Sequence, residues 1–221
     1  QASDWSRNCR GRTMSSSTLV LERGTPVKAT PNRECSASRA PCRALAEYIE
    51  TLTIPTPGGA HTKFVVVRDL KAEPEDLAEY PGACVFHEGE PQYGTEEGGL
   101  QPIYDPTGDL QDGTQLFLVG ELKVDLQVHV WTNEIEHREG VLMMLEDAMN
   151  PVEWMSGFFL EMPHYHNLRA SFQLMSMAYE DVDSDTQRRY RKCTLRVQAI
   201  CPYARIFGLP RLRPRGDVEV S

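Results

Sequence analysis

Alternating apolar and polar positions predict the clearest strand of the chain over residues 115–131. One side of this strand carries four branched apolar residues, Val124, Leu126, Val128 and Val130. The other side carries Asp125, Gln127, His129 and Trp131. Because successive side chains of a strand point to opposite faces, the pattern indicates one face against a core and one polar face, on which His129 is interpreted as structural.

Apolar residues at helical spacing predict two helices. The first covers residues 41–52, with Pro41 in its first turn and a stripe formed by Leu45, Tyr48, Ile49 and Leu52. The second follows the 115–131 strand and ends near Met149, with a stripe formed by Ile135, Leu142, Leu145 and Met149. We interpret His137 and Arg138 as part of its charged, solvated face.

Further strands are predicted at 63–70, 84–86, 157–162, 170–179 and 190–201. An acidic turn over residues 180–185 joins the last two strands into a hairpin. Residues 88–113 are rich in Gly, Pro, Asp and Glu, which predicts a long loop or a flexible hairpin.

This order of elements predicts an α+β fold, a mostly antiparallel sheet with helices packed on one face. A core domain is expected over residues 40–201. Extended arms are expected at 1–39 and at 202–221, and the second contains three prolines and four arginines. The chain contains no internal repeats.

The composition is that of a soluble globular protein: 221 residues, 40% hydrophobic and 25% charged. No apolar run approaches about 18 residues, so no membrane span is expected, and residues 1–13 lack the apolar stretch of a signal peptide. Those residues are interpreted as an upstream extension or as a processed end. The net charge of −9 argues against a general nucleic-acid binder.

Charge is distributed unevenly along the chain. Residues 188–221 hold nine basic and two acidic side chains, a balance of +7, and the other 187 residues therefore carry −16. The stretch from Glu73 to Glu97 has eight acidic residues and no Lys or Arg. Two interpretations stay open: head-to-tail contacts between copies of the chain, or a solvated surface with a loose basic tail.

Candidate chemistry is sparse. The six cysteines include no C-x-x-C pair, so neither a structural zinc nor a disulfide framework is expected, and Cys193 and Cys201 fall on one face of a strand as small apolar groups. No phosphate-binding glycine motif and no nucleophile elbow occurs. His164 and His166 are the best metal candidates, because residues two apart in a strand share a face. In a turn after Pro163 they would instead form an exposed polar loop.

The segment Val124-Asp125-Leu126-Gln127-Val128-His129-Val130-Trp131-Thr132, followed by a helix with Arg138, resembles the tail-terminator (tail-completion) proteins of long-tailed bacteriophages. Those proteins continue with a hairpin that has an acidic turn and a second strand opening with Arg and Tyr. Here those segments are residues 179–183, 188–191 and 195–197. The resemblance covers roughly residues 40–201, and the chain departs from the family in its arms and in the 88–113 loop.

The resemblance implies a non-enzymatic virion protein without cofactors, assembled in the host cytoplasm into a ring, commonly of six subunits, at the neck. The ring would cap the tail tube and join the head–tail connector, with the tail sheath as a further possible neighbour. DNA would pass without specific binding, and no membrane is involved. The expected subunit-interface residues are Arg188, Arg189, Arg191, Arg211, Arg213, Glu134 and Glu136. The expected channel-facing acids are Glu75, Asp76, Glu96 and Glu97.

Two alternatives are kept. The first alternative is that the chain is another neck component, such as a head–tail connector, a stopper or a sheath-associated protein. The remaining alternative is a small metal-dependent enzyme that uses His164 and His166.

Overall fold

The computed structural model describes residues 35–55, 61–64, 66–68, 70–71, 77, 80–95, 100–106, 110, 114–133, 135–149, 157–183 and 189–208. Its two helices are α1 (Ala40–Thr51) and α2 (Ile135–Met149). Its strands are β1 (Thr53–Pro55), β2 (His61–Lys63), β3 (Val66–Arg68), β4 (Gly82–His87), β5 (Gln92–Thr95), β6 (Gln101–Ile103), β7 (Thr114–Thr132), β8 (Phe158–Met162), β9 (Leu168–Asp183) and β10 (Arg189–Gly208).

The predicted α+β class with a mostly antiparallel sheet is confirmed. The main sheet has the strand order β3-β4-β7-β10-β9-β8, and β5 and β6 pair with β7 beside that path. The β3–β4 pair is parallel, whereas all the other pairs are antiparallel. A separate two-stranded ribbon is formed by β1 and β2.

Strand β7 is the centre of the sheet, and the prediction for its apolar side is confirmed. Val124, Leu126, Val128 and Val130 are at most 1% exposed. The prediction of a polar opposite side is wrong at its end, where His129 is 5% and Trp131 is 2% exposed. A second apolar cluster, formed with Leu77, Cys84 and Tyr190, covers Trp131 there.

Both predicted helices are present. Leu45 and Ile49 of α1 and Leu145 and Met149 of α2 are at most 1% exposed. In α2, Leu142 is only half-buried whereas Met144 is buried, so the buried stripe is displaced from the predicted one. The buried side chains of both helices belong to one cluster with the apolar side of β7. No helix in the described part of the chain has the length and apolar character needed to cross a bilayer.

In place of the single strand predicted at 63–70, the structure has the end of β2 and the strand β3. Strand β2 pairs with β1 in the ribbon whereas β3 pairs with β4 in the main sheet, so the chain passes from one sheet to the other. The prediction of a long loop at 88–113 is also wrong in part, since it contains β5 and β6. Strand β4 pairs with β7 only from Leu126 to Trp131, and β5 and β6 cover the rest of that edge. An open strand edge carries unsatisfied backbone groups, which explains this pairing.

The last hairpin is confirmed, but its strands are longer than predicted. Residues 180–183, expected in the turn, belong to β9 and face basic residues of β10, with Lys192 opposite Glu180 and Arg191 opposite Asp181. Opposite charges across neighbouring strands stabilise such pairs. Strand β10 extends to Gly208, past the predicted arm boundary at 202, because it pairs with β7 as far as Thr114. Residues 209–221 lie outside the described residues.

The end of the predicted N-terminal arm contacts the core. Ala37 is 2% exposed, and the Cys35 backbone N–H donates to the His164 carbonyl at 3.4 Å. Residues 1–34 lie outside the described residues.

The predicted burial of Cys193 and Cys201 on one strand face is confirmed, with exposures of 5% and 1%.

Candidate functional site

Of the residues predicted from the sequence to act at an interface or in a channel, the structure describes the side chain of Arg191. Arg189 and Glu136 are placed by their backbone alone, in β10 and α2. The other predicted residues lie outside the described part of the chain and stay predictions: Arg188, Arg211, Arg213, Glu134, Glu75, Asp76, Glu96 and Glu97.

The topology brings the first residues of β10 and the first turn of α2 to one end of the sheet. Strand β7 runs antiparallel to β10, so Arg191 lies opposite Thr132 at the end of β7. Helix α2 begins three residues later, at Ile135. Arg189 lies opposite Asp183 on β9. Two groups of predicted interface residues that are about 50 positions apart in the chain therefore converge on this end.

Two arginines flank a pocket at this end of the sheet. The pocket is partly open, with about 270 Å³ of empty space that includes open solvent, and Arg138 of α2 and Arg191 of β10 are among its lining residues. Tyr179 and Cys193 also line the pocket, together with the apolar residues Val130, Val141 and Leu142 and with Thr132. We call this feature the Arg138–Arg191 pocket.

Two acidic side chains of the described residues lie near these arginines, at distances longer than a direct hydrogen bond. Asp181 Oδ1 lies 4.0 Å from Arg138 Nη1 and 3.8 Å from Arg191 Nε. Glu139 Oε1 lies 3.8 Å from Arg191 Nη1. A direct guanidinium–carboxylate hydrogen bond has a length of about 2.7–2.9 Å. Arg191 Nε is buried and finds no hydrogen-bond acceptor in the part of the chain that the structure describes.

The four charged side chains differ in their exposure. The side chains of Arg138 and Arg191 are 17% and 36% exposed, whereas those of Asp181 and Glu139 are 66% and 74% exposed. Exposed ion pairs contribute little, with a median of about 0–1 kcal/mol. The two arginine side chains are thus more buried than their acidic neighbours.

The other polar groups of the pocket are neutral at physiological pH. Burial is the largest cause that raises the pKa of Tyr179 to about 12, and the neighbouring Cys193 and Glu146 add to it while Arg191 opposes it. Burial also raises the pKa of Cys193 to about 12, against the effects of Tyr179 and Arg191. A thiol acts as a nucleophile in its ionised form, so Cys193 is unreactive near pH 7. Among these lining groups, the arginines supply the charge.

The interpretation of Arg138 as part of a solvated face is wrong, and the sequence contained a signal against it. Arg138 is spaced by three, four and seven residues from Val141, Leu142 and Leu145. Residues at this spacing share one side of a helix, which here includes the buried Val141 and Leu145. Tyr179 and Cys193 carried no such signal, because their proximity depends on the register between β9 and β10.

The geometry at the two histidines differs from the strand that the metal hypothesis requires. Residues 163–167 form turns, and His166 and Asn167 have positive φ values of 55° and 50°. His164 Nε2 lies 2.7 Å from Glu47 Oε1, whereas His166 is 3% exposed, so the expected exposed loop is also wrong for His166. Within the described ranges, no group of three or more His, Cys, Asp or Glu side chains is arranged to hold a metal ion.

A comparison with protein-family models found no match to this sequence, and a search of curated proteins found no relative at a significant level.

Proposed function

We propose that this chain is a structural virion protein that forms a ring at the head–tail junction of a long-tailed bacteriophage. In this proposal, the ring caps the tail tube, ends its growth and joins it to the head connector. The helices pack on one face of the sheet, and the arms at both chain ends contact neighbouring subunits. The chain performs no reaction and binds no cofactor.

The observation that supports the proposal is the unit formed by β7, α2 and the β9–β10 hairpin. The resemblance depends on a strand, a helix and a hairpin in this order, and these elements are present in the structure with β10 between β7 and β9. The buried side chains of α1 and α2 share one cluster with the apolar side of β7, which favours a block with helices on a single face.

Charge provides the second argument. A closed ring repeats one heterologous contact, in which different surfaces of two copies meet. The balance of +7 over residues 188–221 and of −16 over the rest of the chain suits such a contact. The acidic side chains Glu75, Asp76, Glu96 and Glu97 are proposed to face the channel, where they would repel DNA phosphates during passage.

Electron microscopy of phage particles tests the proposal. Particles assembled without this chain should have tails of uncontrolled, excessive length, and the purified chain should bind as a ring to one end of isolated tail tubes. Tails of normal length on heads that leak DNA would instead favour a stopper at the same junction. A chain that binds neither tail tubes nor heads would contradict any function in the neck.

A further inference from the structure

We propose that the Arg138–Arg191 pocket binds a carboxylate side chain of a second copy of this chain. This inference rests on the proposed ring, and it assigns one side of the contact between subunits. The ligand chemistry is an oxyanion that accepts hydrogen bonds from two guanidinium groups, in a pocket that Tyr179 also lines.

The geometry around Arg191 supports an acceptor that the described part of the chain does not supply. Arg191 Nε is buried without a hydrogen-bond acceptor, and the carboxylates of Asp181 and Glu139 stay at 3.8 Å. Arg191 also lies over the ring of Tyr179, with its guanidinium carbon 5.8 Å from the ring centroid. An incoming carboxylate can take the place of Asp181 at modest cost, because Asp181 is mainly exposed.

The wall of the pocket strengthens such a contact. Val130, Val141 and Leu142 line the pocket together with the two arginines, so part of its lining is apolar. An ion pair that is shielded from solvent is screened less than an exposed one. The pocket is open on its other side, so a side chain of another molecule has access.

A second copy is the occupant that the charge distribution favours. Outside residues 188–221 the chain carries −16, so each copy presents many carboxylates to its neighbours. One exposed example is Glu121, near the middle of β7 and eleven residues before Thr132, which is opposite Arg191. At about 3.3 Å per residue, this separation is roughly 36 Å, too long for a contact within one chain. A contact between Glu121 and the pocket would therefore join different copies, as a ring requires.

Two measurements on the full chain test the pocket. In sedimentation velocity, Arg191→Gln should weaken self-association by roughly 10- to 100-fold, the effect of losing a hydrogen bond to a charged group. Arg138→Gln is the second variant, in case one substitution disturbs folding as judged by circular dichroism. Arg169→Gln is the matched control, because Arg169 is an exposed arginine on β9 that pairs with Glu161 at 2.9 Å, away from the pocket. It should leave association unchanged.

Cross-linking identifies the partner directly. Arg191→Lys introduces an amine that a carbodiimide couples to an adjacent carboxylate. In a mixture of unlabelled and 15N-labelled protein, peptides linked through position 191 should contain one light and one heavy partner. The wild-type chain gives the background from the neighbouring Lys192.

The outcomes separate this inference from the proposed function. One result would be that links from position 191 join only peptides of the same isotope, at Asp181 or Glu139. If Arg191→Gln and Arg138→Gln also leave association unchanged, the proposed role of the pocket is wrong while the ring remains supported. A wild-type chain that stays monomeric would contradict the ring and, with it, the pocket.

Discussion

The substitution Val128→Asp is a stringent test of whether the apolar side of β7 forms the core. Val128 is fully buried at the centre of the sheet, opposite Val85 of β4 and Leu195 of β10. Loss of the apolar side chain costs about 2 kcal/mol. Keeping the new carboxyl protonated at pH 7 costs about 1.4 kcal/mol for each pH unit above its ordinary pKa of about 3.9, or about 4 kcal/mol. The sum, about 6 kcal/mol, is comparable with the stability of a whole domain, about 5–15 kcal/mol.

The pH dependence of this loss is specific to burial. Burial raises the pKa of the introduced carboxyl in the folded state above its unfolded value. The protonated form therefore supports folding below about pH 4, and this support is lost as the pH rises. Urea unfolding should show a loss that is about 3 kcal/mol larger at pH 7 than at pH 4.5.

Two further variants serve as controls for this measurement. Val128→Thr keeps the shape of the side chain and should cost about 1–3 kcal/mol at both pH values, for an unsatisfied hydroxyl. Lys123→Ala, at an exposed position of the same strand, should change stability by less than about 0.5 kcal/mol. A Val128→Asp loss below about 1 kcal/mol, or one that is equal at both pH values, would refute the assignment of Val128 to the core.

Three other substitutions test local features, each by urea unfolding. Tyr165→Phe should cost about 1–3 kcal/mol, because the buried Tyr165 hydroxyl donates to the Ala204 carbonyl and accepts from the Ala204 N–H, both at 3.0 Å; an unchanged stability would contradict this role. Gly140→Ala should destabilise the protein by about 1–3 kcal/mol although alanine favours helices, because its Cβ would collide with the Pro55 carbonyl oxygen; a stabilised variant would show that α2 does not approach β1 there. Burial raises the pKa of Cys201 from 9.0 to about 12, so the stability that it contributes is complete below about pH 9 and decreases as the pH rises toward 12. The slope should be up to about 1.4 kcal/mol per pH unit, and Cys201→Ala should reduce it between pH 8 and pH 11; an equal slope in both proteins would count against burial of the thiol.

The elements that the sequence predicted well are those with strong periodicity over many residues. Strand β7 alternates branched apolar and polar residues, and α1 repeats apolar residues every three or four positions, so local physics is sufficient to identify both. The burial of Trp131 was not predictable in this way. It depends on Leu77, Cys84 and Tyr190, which are distant in the chain and meet only in the folded sheet.

Strands β5 and β6 were missed for a different reason. Their residues Gln92–Thr95 and Gln101–Ile103 include Gly94 and Pro102 and show no alternation. They become strands because the first half of β7 has an edge that β4 leaves open, a property of the assembled sheet. The Arg138–Arg191 pocket also combines a local and a tertiary property. The helical spacing of Arg138 could be recognised in the sequence, whereas its proximity to Tyr179 depends on the register of the strands.

The mass of the purified full chain in solution tests the central claim most directly. Native mass spectrometry at micromolar concentration and near-neutral pH should find a closed oligomer, and six copies of 25.0 kDa correspond to about 150 kDa. Negative-stain images of the same sample should show rings with a central channel. A single 25.0 kDa species at every concentration and salt condition would contradict the account.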